Sequence, residues 1–167
     1  MMIYSLRTLP ALCLGCMLLL FAGCKQSMVI SDVNYSQPIE TVLTPNENGV
    51  VEDVQHGLSF NILPLQYAET EDTSSVTTRE VRMIRGKEGF YYITAAGYSN
   101  VYVMAPEKNQ LKLKKKIKIS EEGIEQPAFN QRDTYVQLLN RETEDTYMLT
   151  EEGVKQTDQE LASREEN

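Results

Sequence analysis

The chain has 167 residues, with 16 Lys and Arg against 24 Asp and Glu, a single histidine and a formal net charge of −8. An acidic balance of this kind argues against general attraction to nucleic acid or to anionic lipid headgroups. One histidine and three cysteines leave little material for a zinc site, which takes about four Cys, His or acidic ligands in set spacings.

Residues 1–23 read as an export signal. Arg7 is the only charge, an apolar run extends from Leu9 to Ala22 interrupted by Pro10, and small residues lead to Cys24. The run is short of the roughly 20 apolar residues of a membrane span, whereas a basic start, short apolar middle and small-residue end are the parts of a secretory signal. Its end, Phe21-Ala22-Gly23-Cys24, resembles the lipobox of bacterial lipoproteins, with Phe21 standing where Leu is usual. The resemblance implies cleavage before Cys24 and acylation of that cysteine, which would tether the protein to a membrane; stable anchoring takes more than one acyl chain. Lys25 follows, and by the same resemblance the lack of Asp there points to the outer rather than the inner membrane of the cell envelope. Cleavage removes Cys13 and Cys16, and lipid consumes Cys24, so no disulfide is expected although an exported protein could form one.

Residues 24–38 are expected to be a tether, 39–155 a β domain and 156–167 a disordered acidic tail. Within the β domain, short runs rich in β-branched and aromatic residues alternate with turn clusters. Strands are predicted at 39–43, 50–54, 58–67, 76–84, 90–95, 100–104, 111–119, 134–139 and 145–149, with no helical stripe. Pro64 lies inside the third of these and should end it or mark an edge or bulge. The predicted fold is all-β: a small antiparallel meander, sandwich or open barrel.

Four turn sequences echo one another. Ile119–Gln126 (ISEEGIEQ) matches Leu149–Gln156 (LTEEGVKQ), and Arg85–Phe90 (RGKEGF) and Pro45–Val50 (PNENGV) are looser versions. Each offers a polar pair and a glycine able to take positive φ before an apolar restart. Units of this kind also resemble β-propeller blades, but Gly49, Gly89, Gly123 and Gly153 are unequally spaced. The chain is also too short for the minimum of about four four-stranded blades, so shared turn chemistry is the simpler account.

Residues 111–119, LKLKKKIKI, hold five lysines in nine positions. Strand alternation would put Leu111, Leu113, Lys115, Ile117 and Ile119 on one face and Lys112, Lys114, Lys116 and Lys118 on the other. An inward lysine such as Lys115 is a device that keeps edge strands from pairing with other chains, so a solvated edge strand is expected, with the four outward lysines as candidate partner contacts. A second candidate is aromatic: Phe90, Tyr91, Tyr92, Tyr98 and Tyr102 crowd one stretch. One set should be core, while Tyr91 and Tyr98 could form a stacking platform for glycan or peptide.

Catalytic motifs are wanting. His56 precedes Gly57 as a turn residue would, and no Ser stands in a G-x-S-x-G elbow. There is no phosphate loop or dinucleotide fingerprint. The Glu121-Glu122 and Glu151-Glu152 pairs sit in turn sequences and do not converge as glycosidase carboxylates must. The expectation is therefore a non-catalytic envelope lipoprotein without metal or cofactor. It would be anchored at Cys24, bind or brace an envelope protein and not bind nucleic acid; a ligand module is the runner-up, and a small envelope hydrolase is disfavoured.

Overall fold

The computed structural model describes residues 39–108 and 110–155. The expected signal peptide, the lipidation site Cys24, the tether up to residue 38 and the acidic tail lie outside the described residues. Eleven strands and one short helix follow in order: β1 Thr41–Leu43, β2 Val50–Asp53, β3 Leu58–Asn61, α1 Leu63–Thr70, β4 Val81–Arg85, β5 Tyr91–Ala95, β6 Asn100–Glu107, β7 Gln110–Lys118, β8 Pro127–Gln131, β9 Val136–Asn140, β10 Thr146–Thr150 and β11 Gly153–Val154.

All pairings are antiparallel. A five-stranded sheet has the order β1-β4-β5-β6-β7, a four-stranded sheet the order β11-β10-β9-β8, and β2-β3 is a separate hairpin. Strand alternation gives the larger sheet two apolar faces. One face contributes Ile84, Tyr92, Val101, Val103 and Ile117, which pack with Phe129, Val136, Leu138 and Leu149 of the smaller sheet. The other contributes Val81, Met83, Tyr91 and Ile93, which pack with Val51, Leu58, Phe60, Ile62 and Leu65 from the hairpin and the helix. The architecture is thus an all-β sandwich whose larger sheet carries a further layer on its outer face, with no closed barrel among the described residues.

Helix α1 replaces the second half of the strand expected over 58–67. β3 stops at Asn61, whose side-chain oxygen accepts the N–H of Leu63 at 2.8 Å, and Pro64 falls in the first helical turn. Proline is tolerated there because the N–H it lacks would have no partner inside the helix. The helix ends at Glu71, which takes a left-handed conformation with φ 59° and donates its N–H to the Tyr67 carbonyl. Gln66, fully buried, fastens the following loop. Its amide donates to the carbonyls of Asp72 and Ser75, and its oxygen accepts the N–H groups of Thr77 and Thr78. That loop continues into the region where a strand was expected from residue 76, and β4 begins only at Val81. β8 and β11 were not expected; β8, PAFNQ, opens on a proline and carries a short apolar pattern, and β11 has only two residues.

The echoed turns divide into two kinds. In PNENGV and RGKEGF the hydrogen bonds are equivalent: Asn46 N–H to Val50 O with Gly49 N–H to Asn46 O, and Gly86 N–H to Phe90 O with Gly89 N–H to Gly86 O. Gly49 and Gly89 both have positive φ. The longer match is not repeated in structure. LTEEGV folds back on itself, pairing Leu149 with Val154, whereas in ISEEGI the equivalent Ile124 bridges to Tyr98 in the β5–β6 loop. Burial accounts for the difference, since Ile124 is 1% exposed in the inter-sheet core and Val154 is 44% exposed.

Candidate contact surface

Strand β7 closes one side of the five-stranded sheet and pairs, among the described residues, only with β6. The edge position agrees with expectation. The facing of its side chains does not. Val101 faces Ile117 and Val103 faces Lys115, but the next β6 residue, Met104, faces Leu113, so the ladder is interrupted opposite Lys114. An extra residue of this kind is a β-bulge, and it inverts the facing of everything beyond it. Leu111 and Leu113 therefore share the face of Met104 and Tyr102, opposite to Ile117. Lys116 and Lys118 lie on that same face, while Lys112 and Lys115 lie on the inter-sheet side. A single ridge of Lys112, Lys114, Lys116 and Lys118 is not formed.

Each of those four lysines meets a neighbour within the chain. The Lys112 ammonium is 3.3 Å from Glu107 and that of Lys118 is 2.5 Å from Glu121. Lys114 stands 4.1 Å from the Phe90 ring centroid and Lys116 stands 5.6 Å from that of Tyr102. Lys116 also donates to the Ala68 carbonyl at 3.0 Å, near the C-terminal end of α1 where cations are favoured. Hydrogen bonding from Gln110, followed by that from Lys112, holds the Glu107 carboxyl below the usual carboxylate range. All five lysines remain solvent-exposed.

The aromatic platform is not present as expected. Tyr91 is 5% and Tyr98 is 3% exposed. Tyr91 belongs to the core between the larger sheet and the β2-β3 hairpin, with the His56 ring edge-on at 5.7 Å. The Tyr98 hydroxyl shares a 2.8 Å hydrogen bond with the Thr78 hydroxyl. Two layers cover the larger sheet, so its aromatic residues are enclosed on both faces.

Next to Tyr98, Glu69 of α1 ties the helix to β6. One carboxylate oxygen accepts the Ser99 N–H at 2.8 Å; the other accepts the Asn100 amide at 2.8 Å and the Tyr102 hydroxyl at 2.5 Å. Burial first, and then the donation to Glu69, push the Tyr102 phenol well above its ordinary value.

His56 is more than a bare turn residue. Its Nδ1 lies 2.5 Å from a carboxylate oxygen of Asp53, which is buried and whose other oxygen accepts the N–H groups of Gln55 and His56. These bonds close the β2–β3 loop, in which Gly57 takes φ +63°. Among the described residues, no group of three or more His, Cys, Asp and Glu is placed to hold a metal.

An apolar cleft was not anticipated. It has a volume of about 340 Å³ and is lined by Phe60, Leu65, Ile93, Met104 and Leu111, with Ser59, Asn61 and Gln110 as polar members. Ile93, Met104 and Leu111 come from β5, β6 and β7 in turn, so the cleft floor steps across the sheet toward its β7 edge. Leu113, on the same face, is 49% exposed. The bulge and the helix together create this site, because one turns Leu111 toward it and the other supplies a wall. Only the alternation of leucine with lysine hinted at an apolar side to this strand. No family profile matches the chain, and neither a curated protein nor a solved structure matches it.

Proposed function

We propose that this protein is a non-catalytic contact domain of the bacterial cell envelope, anchored through an acylated Cys24 and acting by binding or bracing another envelope protein. The observation that supports a contact role is the nine-residue edge of β7, unpaired on its outer side among the described residues, with an apolar cleft opening beside it. A pocket that is mostly apolar with a few polar groups at its rim is a common form of binding site. A lipid anchor would hold such a surface in a thin layer, where even a weak partner is met at high effective concentration. By resemblance to lipoproteins with Lys rather than Asp after the cysteine, the outer membrane is the proposed site.

The experiment has two arms in intact envelopes. Cys24→Ser should abolish labelling by palmitate and release the protein from the membrane fraction. A photo-crosslinking amino acid introduced in turn at exposed positions, including Leu113 and Val54, should give a discrete adduct with one envelope protein from at least one face. Turnover of an envelope glycan, peptide or ester by the purified protein, lost on His56→Ala, would replace this proposal with an enzymatic one.

A further inference from the structure

Resting on that contact role, we propose that β7 takes up an acidic, extended polypeptide segment of a partner as an additional strand, with an apolar side chain of that segment seated in the cleft beside Leu111. Three features converge on this occupant. An edge strand presents a row of unpaired backbone donors and acceptors, which an extended segment satisfies and a helix does not. The cleft floor of Ile93, Met104 and Leu111 advances strand by strand toward β7, so the next place in that row belongs to a side chain of the added strand. Side chains of an added strand alternate between faces, and every second one would fall on the side of Leu111 and Leu113.

Charge selects the partner. The five lysines of β7 sit in a chain of net charge −8, so the positive field is local to this edge, and Glu107 and Glu121 offset it only at Lys112 and Lys118. A second copy pairing through β7 would set lysines against lysines, and like charges directly opposite across a ladder are destabilising. An acidic strand is attracted by the same side chains that repel a copy, which is how an interface gains specificity. The bulge at Lys114 divides the edge into a half beside the cleft, Gln110–Leu113, and a half carrying Lys115, Lys116 and Lys118, and the added strand would run along both.

The test uses the full chain in detergent micelles and a peptide matching β7 in length, alternating Glu with Val, followed by backbone amide chemical shifts. Saturable shifts are expected, confined to Gln110–Lys118 and to residues lining the cleft. Replacing Val by Ser in the peptide should weaken binding roughly tenfold, as loss of an apolar anchor does. Lys112→Glu combined with Lys115→Glu should reverse the preference, favouring a peptide that alternates Lys with Val; this gain of binding cannot be produced by misfolding. The proposal is overturned by equal binding of acidic and basic peptides to the unmodified chain, by shifts away from β7, or by none at millimolar peptide. Dilution-dependent β7 shifts without peptide would assign the edge to a second copy. Altered β7 shifts on ending the chain at Lys155 would assign it to residues 156–167. Either result also overturns the proposal. Crosslinks in envelopes from another face, with β7 silent, would remove this inference and leave the contact role standing.

Discussion

The carboxylate of Glu40 accepts the backbone N–H of Phe129 at 2.7 Å, joining residues that lie 89 apart in the chain. Its other oxygen accepts from the Arg82 guanidinium at 3.1 Å. Arg82 is on β4 of the larger sheet, and Phe129 is on β8 at the edge of the smaller one. A single side chain thus covers an edge amide and ties the two sheets together outside their apolar core. Glu40→Ala leaves that amide and a mostly buried guanidinium short of a partner, and should cost about 1–3 kcal/mol. Glu40→Gln keeps a carbonyl acceptor and should cost less. Urea denaturation checks both, and an alanine variant as stable as the parent would mean that water replaces the carboxylate at no cost.

Gly123 and Gly97 make a matched pair for a test of packing against conformation. Both have positive φ, +93° and +78°. A Cβ on Gly123 would stand 2.6 Å from the Gly97 carbonyl oxygen, whereas one on Gly97 would meet nothing within 4 Å. Gly97→Ala should therefore pay only the left-handed penalty, about 1–2 kcal/mol. Gly123→Ala should cost more than that, because the bridge between Tyr98 and Ile124 must open to admit the methyl group. Equal losses of stability in thermal unfolding would show that the two loops separate freely.

The residues that announce strands did so where both faces are filled with branched and aromatic side chains: 90–95 and 100–104 lie within one residue of β5 and inside β6. Local chemistry also showed the tight turns, as PNENGV and RGKEGF illustrate. What escaped was decided elsewhere in the molecule. The α1 segment, LPLQYAET, is eight residues long, too short for a periodic stripe, and it is helical because Gln66 and Glu69 find partners in other segments. The bulge at Lys114 depends on which residues of β6 lie opposite and has no mark in a run of alternating Leu and Lys. Burial of Tyr91 and Tyr98 likewise follows from the hairpin and helix that cover them, and a sequence count of aromatics could not tell a core from a platform.

The lysines of β7 should differ in their effect on stability. Lys112 and Lys118 hold exposed ion pairs, which are worth about 0–1 kcal/mol and fade with salt. Lys114 and Lys116 lie over the rings of Phe90 and Tyr102, contacts that also use the aliphatic stem and resist screening. Lys112→Gln and Lys118→Gln should thus be close to neutral in moderate salt. Lys114→Gln and Lys116→Gln should each cost about 0.5–1 kcal/mol at low and high salt alike. A salt-dependent loss at Lys116 would place its main contribution in charge rather than in ring packing.

Alkaline pH should unfold this protein through its buried phenols. Burial is the main cause that raises Tyr92, with the negative charges of Glu88 and Glu151 adding to it. Tyr98 is raised by burial and by Glu69, partly offset by its bond to Thr78. Tyr102 is raised by burial and then by its hydrogen bond to Glu69, which only the protonated phenol can donate. In the unfolded chain a tyrosine ionises near pH 10. Above that pH the unfolded state releases protons that the folded state keeps, so ionisation favours unfolding. The stability tied to these groups is fully present below about pH 10 and is lost as the pH climbs toward their folded values, by about 1.4 kcal/mol per pH unit for each group. Unfolding and the rise in tyrosinate absorbance from these phenols should then coincide in an alkaline titration. Tyr102→Phe separates the two contributions of that residue. It loses the bond to Glu69 and should be less stable than the parent at neutral pH, but the difference should shrink above pH 10, because phenylalanine has no proton to release. A gap that stays constant across the titration would mean that Tyr102 ionises alike in the folded and unfolded chains, and would exclude it from the alkaline transition.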